Sequence, residues 1–237
     1  MASRPQRPRG SVPARPTPAL WLPMRVWDAP IRLFHWLLVA LLLFSYVSIQ
    51  LDWLSWHMRS GEAILVLLLF RLVWGVVGSQ TARFGSFLRN PLDGLRHLAA
   101  ITRREPDTEL GHNAAGGWMV VVLLATLLVQ VGSGLLAYDT DAFVGGPLTH
   151  LVPEATGTLA LRVHHISFTV LQIVIALHLL AVLFYAVVKR HNLLRPMITG
   201  KKRLPATTPA PRMASSLLAL VILLVAALLV WLLVTRL

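Results

Sequence analysis

The sequence predicts an all-α integral membrane protein, a bundle of four transmembrane helices followed by a fifth. Of its 237 residues, 56% are hydrophobic and only 14% are charged, a balance far from that of a soluble domain of this length. Five stretches are apolar over about the 20 residues that a helix needs to cross a hydrocarbon core of roughly 30 Å. The ten-residue alternating segments of a membrane β-barrel are not seen.

In chain order, residues 1–24 read as a basic, Pro-rich, disordered cytoplasmic tail. The stretch "MASRPQRPRGSVPARPTPALWLP" has no apolar h-region, so it is not expected to be a cleaved signal peptide. The first four spans, at about 31–50, 57–78, 114–138 and 159–188, fall in a bundle domain expected over 25–202. Residues 203–214, with "LPATTPAPR", read as a linker, and 215–237 as the fifth helix, its apolar run expected over 215–234. That helix has no polar residue between Leu217 and Val234. It is expected at the bundle periphery, facing lipid and carrying no chemistry.

The net charge of +12 does not point to nucleic acid. Arg4, Arg7, Arg9, Arg15, Arg25 and Arg32 precede or begin the first span. Arg83, Arg89, Arg96, Arg103 and Arg104 lie between the second and third, and Lys189, Arg190, Arg195, Lys201, Lys202, Arg203 and Arg212 between the fourth and fifth. All of these fall on one side. The positive-inside rule places the N-terminus in the cytoplasm and the C-terminus outside. The basic excess orients the chain; it need not bind anything.

There is no cysteine, which excludes disulfides, iron–sulfur clusters, thiolate zinc and the attachment motif of c-type haem. The fourth span nevertheless carries histidines in "LRVHHISFTVLQIVIALHLLAVLFYAVV", and an ionisable residue inside a span is a functional-site hypothesis. At about 100° and about 1.5 Å per residue, His164 and His178 lie about 40° from eclipsed and about 21 Å apart in height, whereas His165 falls on another face. With the topology assigned, His57 begins the second span at the outer level of His164, and His35 starts the first span at the inner level of His178.

Two histidines per level, from two helices, suit a cofactor sandwiched in a bundle. Zinc wants three or four protein ligands, whereas haem brings four of its own and needs two axial ones. Two bis-His b-type haems fit best, His57 with His164 and His35 with His178. Gly61, one turn inside His57, leaves room for a macrocycle. Arg71, 14 residues after His57, reaches the inner level on the same face, where it could meet a haem propionate or a backbone carbonyl; Gly75 follows one turn later. His112 could line a quinone pocket, but the reading leans to a helix cap beside Asn113. His150 and His165 read as interfacial, and His97 and His191 as solvated. Gly116, Gly117, Gly132 and Gly134 read as sites of close helix packing.

These residues also carry a resemblance. "RVWDAPIRLFHW", "WHMRSGEAILVLLLFRLVWGVVGS", "LGHNAAGGWM" and "VHHISFTVLQIVIALHLLAVLFY" with "RPMITGKK" resemble the bacterial cytochrome b561 family, which includes the cytochrome b subunits of nickel–iron hydrogenases. The resemblance covers about 25–202 and implies a di-haem four-helix core with ligands at His35, His57, His164 and His178. It departs at His165, where relatives often carry an acidic residue. The resemblance implies electron transfer without naming a partner; taken with the topology, the reading is transmembrane electron transfer in a respiratory chain of the bacterial inner membrane, between a periplasmic partner such as a c-type cytochrome or a hydrogenase-like protein and the quinone pool.

The loop Asp139–Glu154 has three acidic and no Lys or Arg side chains, so it is a docking patch for a basic partner or ordinary topology bias in equal measure. Two other classes remain open. A stand-alone quinol-dependent oxidoreductase, superoxide oxidase-like, would use the same ligands without a protein partner. A haem-free metal transporter or structural subunit would line a polar route, to which the third and fifth spans contribute little apart from Thr126 and Gln130.

Overall fold

The computed structural model describes residues 20–99 and 106–236, with the side chains of residues 97 and 98 left aside. Most of the expected tail, the basic Arg103 and Arg104, the side chain of His97 and the last residue of the fifth helix lie outside the described residues. Five helices are long and apolar enough to cross a membrane: α1 (Ala29–Gln50), α2 (Leu54–Val77), α5 (Ala114–Leu136), α6 (Glu154–Val187) and α8 (Ser216–Arg236). Shorter elements join them: α3 (Phe84–Phe87), α4 (Pro91–Ala99) and α7 (Leu194–Thr199), with strands β1 (Trp21–Arg25), β2 (Tyr138–Asp139), β3 (Val144–Gly145) and β4 (Lys201–Pro205).

The start of α1 is written in "WDAP". Asp28 is the N-cap and its carboxylate accepts from the Ile31 amide at 2.7 Å, while Pro30 sits where a missing N–H costs nothing. The other carboxylate oxygen accepts from the buried Trp74 indole at 3.1 Å. One acid therefore both starts α1 and ties it to the inner end of α2. A three-residue turn at residues 51–53 reverses the chain, with Asp52 at φ 57°, a conformation that Asp tolerates better than most residues.

α2 is the hub and packs on α1, α5 and α8. Its 18-residue apolar window is 44% buried, against 11–17% for the other four spans. The core joins Ile31, Phe34 and Leu38 of α1, Leu67, Leu68, Phe70 and Trp74 of α2, and Leu124 and Leu127 of α5; Phe70 stacks on Trp74 at 5.7 Å. In lipid such contacts hold helices by close packing, because the tails outside are as apolar as the side chains within. The exposed leucines of α6 and α8 accordingly face outward.

α6 packs along α5 and meets α1 and α2 through side chains, among them the stacked pair Tyr46 and Phe168 at 5.8 Å. At 34 residues it is about 50 Å long, so it projects well beyond a bilayer core. Its sequence-predicted start at about 159 is corrected to Glu154, because Pro153 ends the preceding loop in extended backbone and serves as the N-cap position.

Two ribbons were not expected. β1 pairs antiparallel with β4, from Trp21 opposite Pro205 to Arg25 opposite Lys201, and β2 pairs with β3 across the outer loop. The first ribbon draws part of the expected tail and part of the expected linker onto one end of the bundle. It is continued by the Val26 amide donating to the Gly200 carbonyl at 2.8 Å. Gly200 caps α7 at φ 76°, where a Cβ would also come within 2.7 Å of the Trp27 carbonyl oxygen; both facts require glycine.

Candidate functional site

His57 on α2 and His164 on α6 face each other with ring centroids 6.1 Å apart and planes at 87°. Each ring has its Nδ1 committed to backbone. His57 Nδ1 lies 3.0 Å from the Ser45 carbonyl and 3.1 Å from its hydroxyl, and His164 Nδ1 lies 2.8 Å from the Gln130 carbonyl. A proton donated from Nδ1 leaves the Nε2 lone pair as the ligating atom, the arrangement usual for metal-bound histidine. The centroid separation is what two imidazoles keep on opposite sides of one metal, with bonds of about 2 Å each. In the structure the Gln130 amide nitrogen stands 3.1 Å from His164 Nε2, held by the Ser167 hydroxyl on the amide oxygen.

Glycines shape this level. At Gly134 a Cβ would stand 2.8 Å from His164 Cε1, so the ring lies directly on the α5 backbone. At Gly61, one turn inside His57, a Cβ would meet nothing within 4 Å, which leaves open space on the face expected for a macrocycle.

At the other level, His35 on α1 and His178 on α6 interact electrostatically. His35 Nδ1 is enclosed and has no hydrogen-bond partner, a costly state for a buried polar atom. His164 and His178 sit 14 residues apart on one unbroken helix, so the two levels differ by about 21 Å in height. The backbones of α1 and α2 keep their distance from α6, and the helices meet through side chains, Tyr46 stacking on Phe168 at 5.8 Å and His57 facing His164.

Arg71 is 2% exposed. Its guanidinium carbon lies 4.7 Å over the Phe84 ring, Asp28 acts on it electrostatically, and its Nη1 has no hydrogen-bond partner. A buried cation with an unfilled donor fits an anionic group on a bound molecule. Among the described residues no three of His, Cys, Asp and Glu converge, and a group that brings its own in-plane ligands needs no more than an opposed pair of histidines. The opposed rings, the orphaned nitrogens and the open Gly61 face together fit haem.

His112 does not cap α5. Asn113 does so, its side-chain oxygen accepting from the Gly116 amide at 2.7 Å while its amide donates to the Tyr185 hydroxyl at 2.7 Å. The His112 ring lies instead between Trp27 and Phe87, at 4.8 and 4.7 Å, with Nδ1 enclosed and unpartnered. Burial first, then the charges of Arg71 and His178, hold its pKa down at about 3. His165 is exposed.

Sequence reasoning missed the residues that orient the rings, Ser45 and Gln130, and the Asp28–Trp74 tie. Gln130 was a legible signal, since a carboxamide within an apolar span is conspicuous, as it is for Gln172 in the fourth span. Ser45 contributes through its carbonyl as well as its hydroxyl, and a carbonyl leaves no mark on residue identity.

Residues 26–200 match the family model described as prokaryotic cytochrome b561. The chain is also similar to a probable Ni/Fe-hydrogenase B-type cytochrome subunit of Bradyrhizobium diazoefficiens, 21% identical over 217 residues that cover 75% of this chain and 85% of the relative.

Proposed function

Because the chain belongs to the prokaryotic cytochrome b561 family, we propose that it holds two b-type haems, one between His57 and His164 and one between His35 and His178. As a family member it is a multi-pass membrane cytochrome of the b type that transfers electrons. Bound haem supplies reversible one-electron redox chemistry. The single observation that supports the reading is the pair His57 and His164, ring centroids 6.1 Å apart and each with Nδ1 close to a backbone carbonyl.

The chain's own residues divide the rest of the work. The Ser45 and Gln130 carbonyls fix ring tautomer and orientation, which raises ligand basicity. Gly61 leaves the macrocycle its space. Arg71 offers Nη1 to a propionate at the inner level. The apolar core around Phe70 and Trp74 keeps water from the inner site.

The basic segments beside α1, α4 and α7 support an N-terminus in the cytoplasm of a bacterial inner membrane. The outer site then serves a periplasmic redox partner, a c-type cytochrome or a hydrogenase-like protein, and the inner site the quinone pool. Asp141 and Glu154, both exposed, make the outer loop suited to a basic partner. Asp139 is less available, because its carboxylate accepts from the Asp141 and Ala142 amides.

The test uses haem-loaded protein in liposomes with ferricyanide trapped inside and dithionite outside. Trapped ferricyanide should be reduced through the parent protein, and about tenfold or more slowly through His57→Ala or His178→Ala. Unchanged rates in both variants would remove the two-level path.

A further inference from the structure

Between the end of α2 and the start of α8 lies an open cavity of about 690 Å³, lined by Gly75, Val76, Gln80, Arg83, Phe84, Gly85, Ser86 and Arg212. Its size falls in the range of about 300–1,000 Å³ common to ligand clefts. Two arginines and no carboxylate line it. Among the described residues neither arginine is in an ion pair, and Arg83 Nε is enclosed without a hydrogen-bond partner. Like charges gathered with no counter-charge repel one another, and an unfilled buried donor adds to that cost.

The frame that gathers them is built. Gln80 donates its amide to the Arg212 carbonyl at 2.9 Å and accepts the Arg212 amide on its side-chain oxygen at 3.0 Å. Ser79 accepts the Ala214 amide at 2.9 Å. The chain entering α8 is thus locked to the turn that carries Arg83. Beyond Gly85 a Cβ would meet nothing within 4 Å, so the floor of the cavity is open. Val76 on its rim is 68% exposed, beside the faces of α2 and α8 that look toward lipid.

We propose that this cavity binds a phosphate group between Arg83 and Arg212, with the headgroup of an anionic phospholipid and free phosphate as the two sources of that chemistry. Guanidinium groups match phosphate oxygens in charge and in geometry. A basic pocket between transmembrane helices at the membrane surface is where a phospholipid headgroup is held.

The experiment is native mass spectrometry of the full-length protein in detergent, titrated with phosphatidylglycerol or with phosphatidylcholine of the same chains. Each titration is repeated with roughly millimolar inorganic phosphate, the concentration needed to compete at a weak site. One phosphatidylglycerol should be retained about tenfold better than phosphatidylcholine, and Arg83→Gln with Arg212→Gln should remove that preference. Arg83→Lys with Arg212→Lys, which keeps the charge and frame, should retain most of it. Displacement of the lipid by inorganic phosphate would assign the site to the free anion, and no displacement to the headgroup. Equal retention of the two lipids by the parent with no phosphate adduct, or a preference unchanged in the Gln variant, would overturn the proposal.

Discussion

The ring of His164 rests on a bare stretch of α5 backbone, and Gly134 is what makes that contact possible. An alanine there would place a methyl 2.8 Å from Cε1 and 3.0 Å from Nδ1, closer than such atoms approach, so the ring must leave the Gln130 carbonyl. Gly134→Ala is expected to cost the outer haem and leave the inner one, read as a fall in haem content of about half. Gly61→Leu gives a complementary test. Its Cβ meets nothing within 4 Å, so the haem-free protein should melt close to the parent while haem content falls. His112 adds a pH dependence. Its folded pKa of about 3 lies below the unfolded value of about 6.5, so the unfolded state binds the extra proton between those values. Stability should fall as pH drops from about 6.5 toward about 3, and His112→Gln should flatten that slope in a melting series. The four ligand candidates were legible at this scale because histidine is conspicuous in an apolar run and helical spacing pairs it. The place of His112 was not, since its two ring neighbours come from segments 85 residues before and 25 residues before it.

The elements that position these rings depend on a few polar ties. Asp28→Ala removes the cap of α1 and leaves the Trp74 indole N–H buried without an acceptor. The expected loss is about 2–4 kcal/mol, the sum of about 1 for the cap and about 1–3 for the orphaned donor, read by chemical or thermal unfolding. Gly200→Ala should also destabilise, through both the left-handed backbone and the clash with Trp27. The five long helices were legible because each is a run of apolar residues with polar ends. The β1 and β4 ribbon was not, because it joins strands nearly the whole chain apart, with no turn between them to announce the pairing. The start of α6 was misplaced because residues 154–158 are polar and small, and hydropathy alone does not see a helix that continues past the membrane.

At the scale of the molecule, α2 is the axis on which α1, α5 and α8 assemble, while α6 packs along α5 and meets α1 and α2 through the Tyr46–Phe168 and His57–His164 ring pairs. α8 packs mainly on α2, burying only a narrow seam, Ala219, Ala226 and Val230, and turns most of its surface to lipid. Deleting it is expected to lower the melting temperature and leave haem content unchanged, since no ligand candidate lies on it. The measurement that bears most directly on the whole account is pyridine haemochrome quantification of purified protein expressed with ample haem. About two b haems per chain are expected, with about one in His57→Ala and about one in His178→Ala. One haem per chain in the parent, or two retained in both variants, would contradict the two-level site.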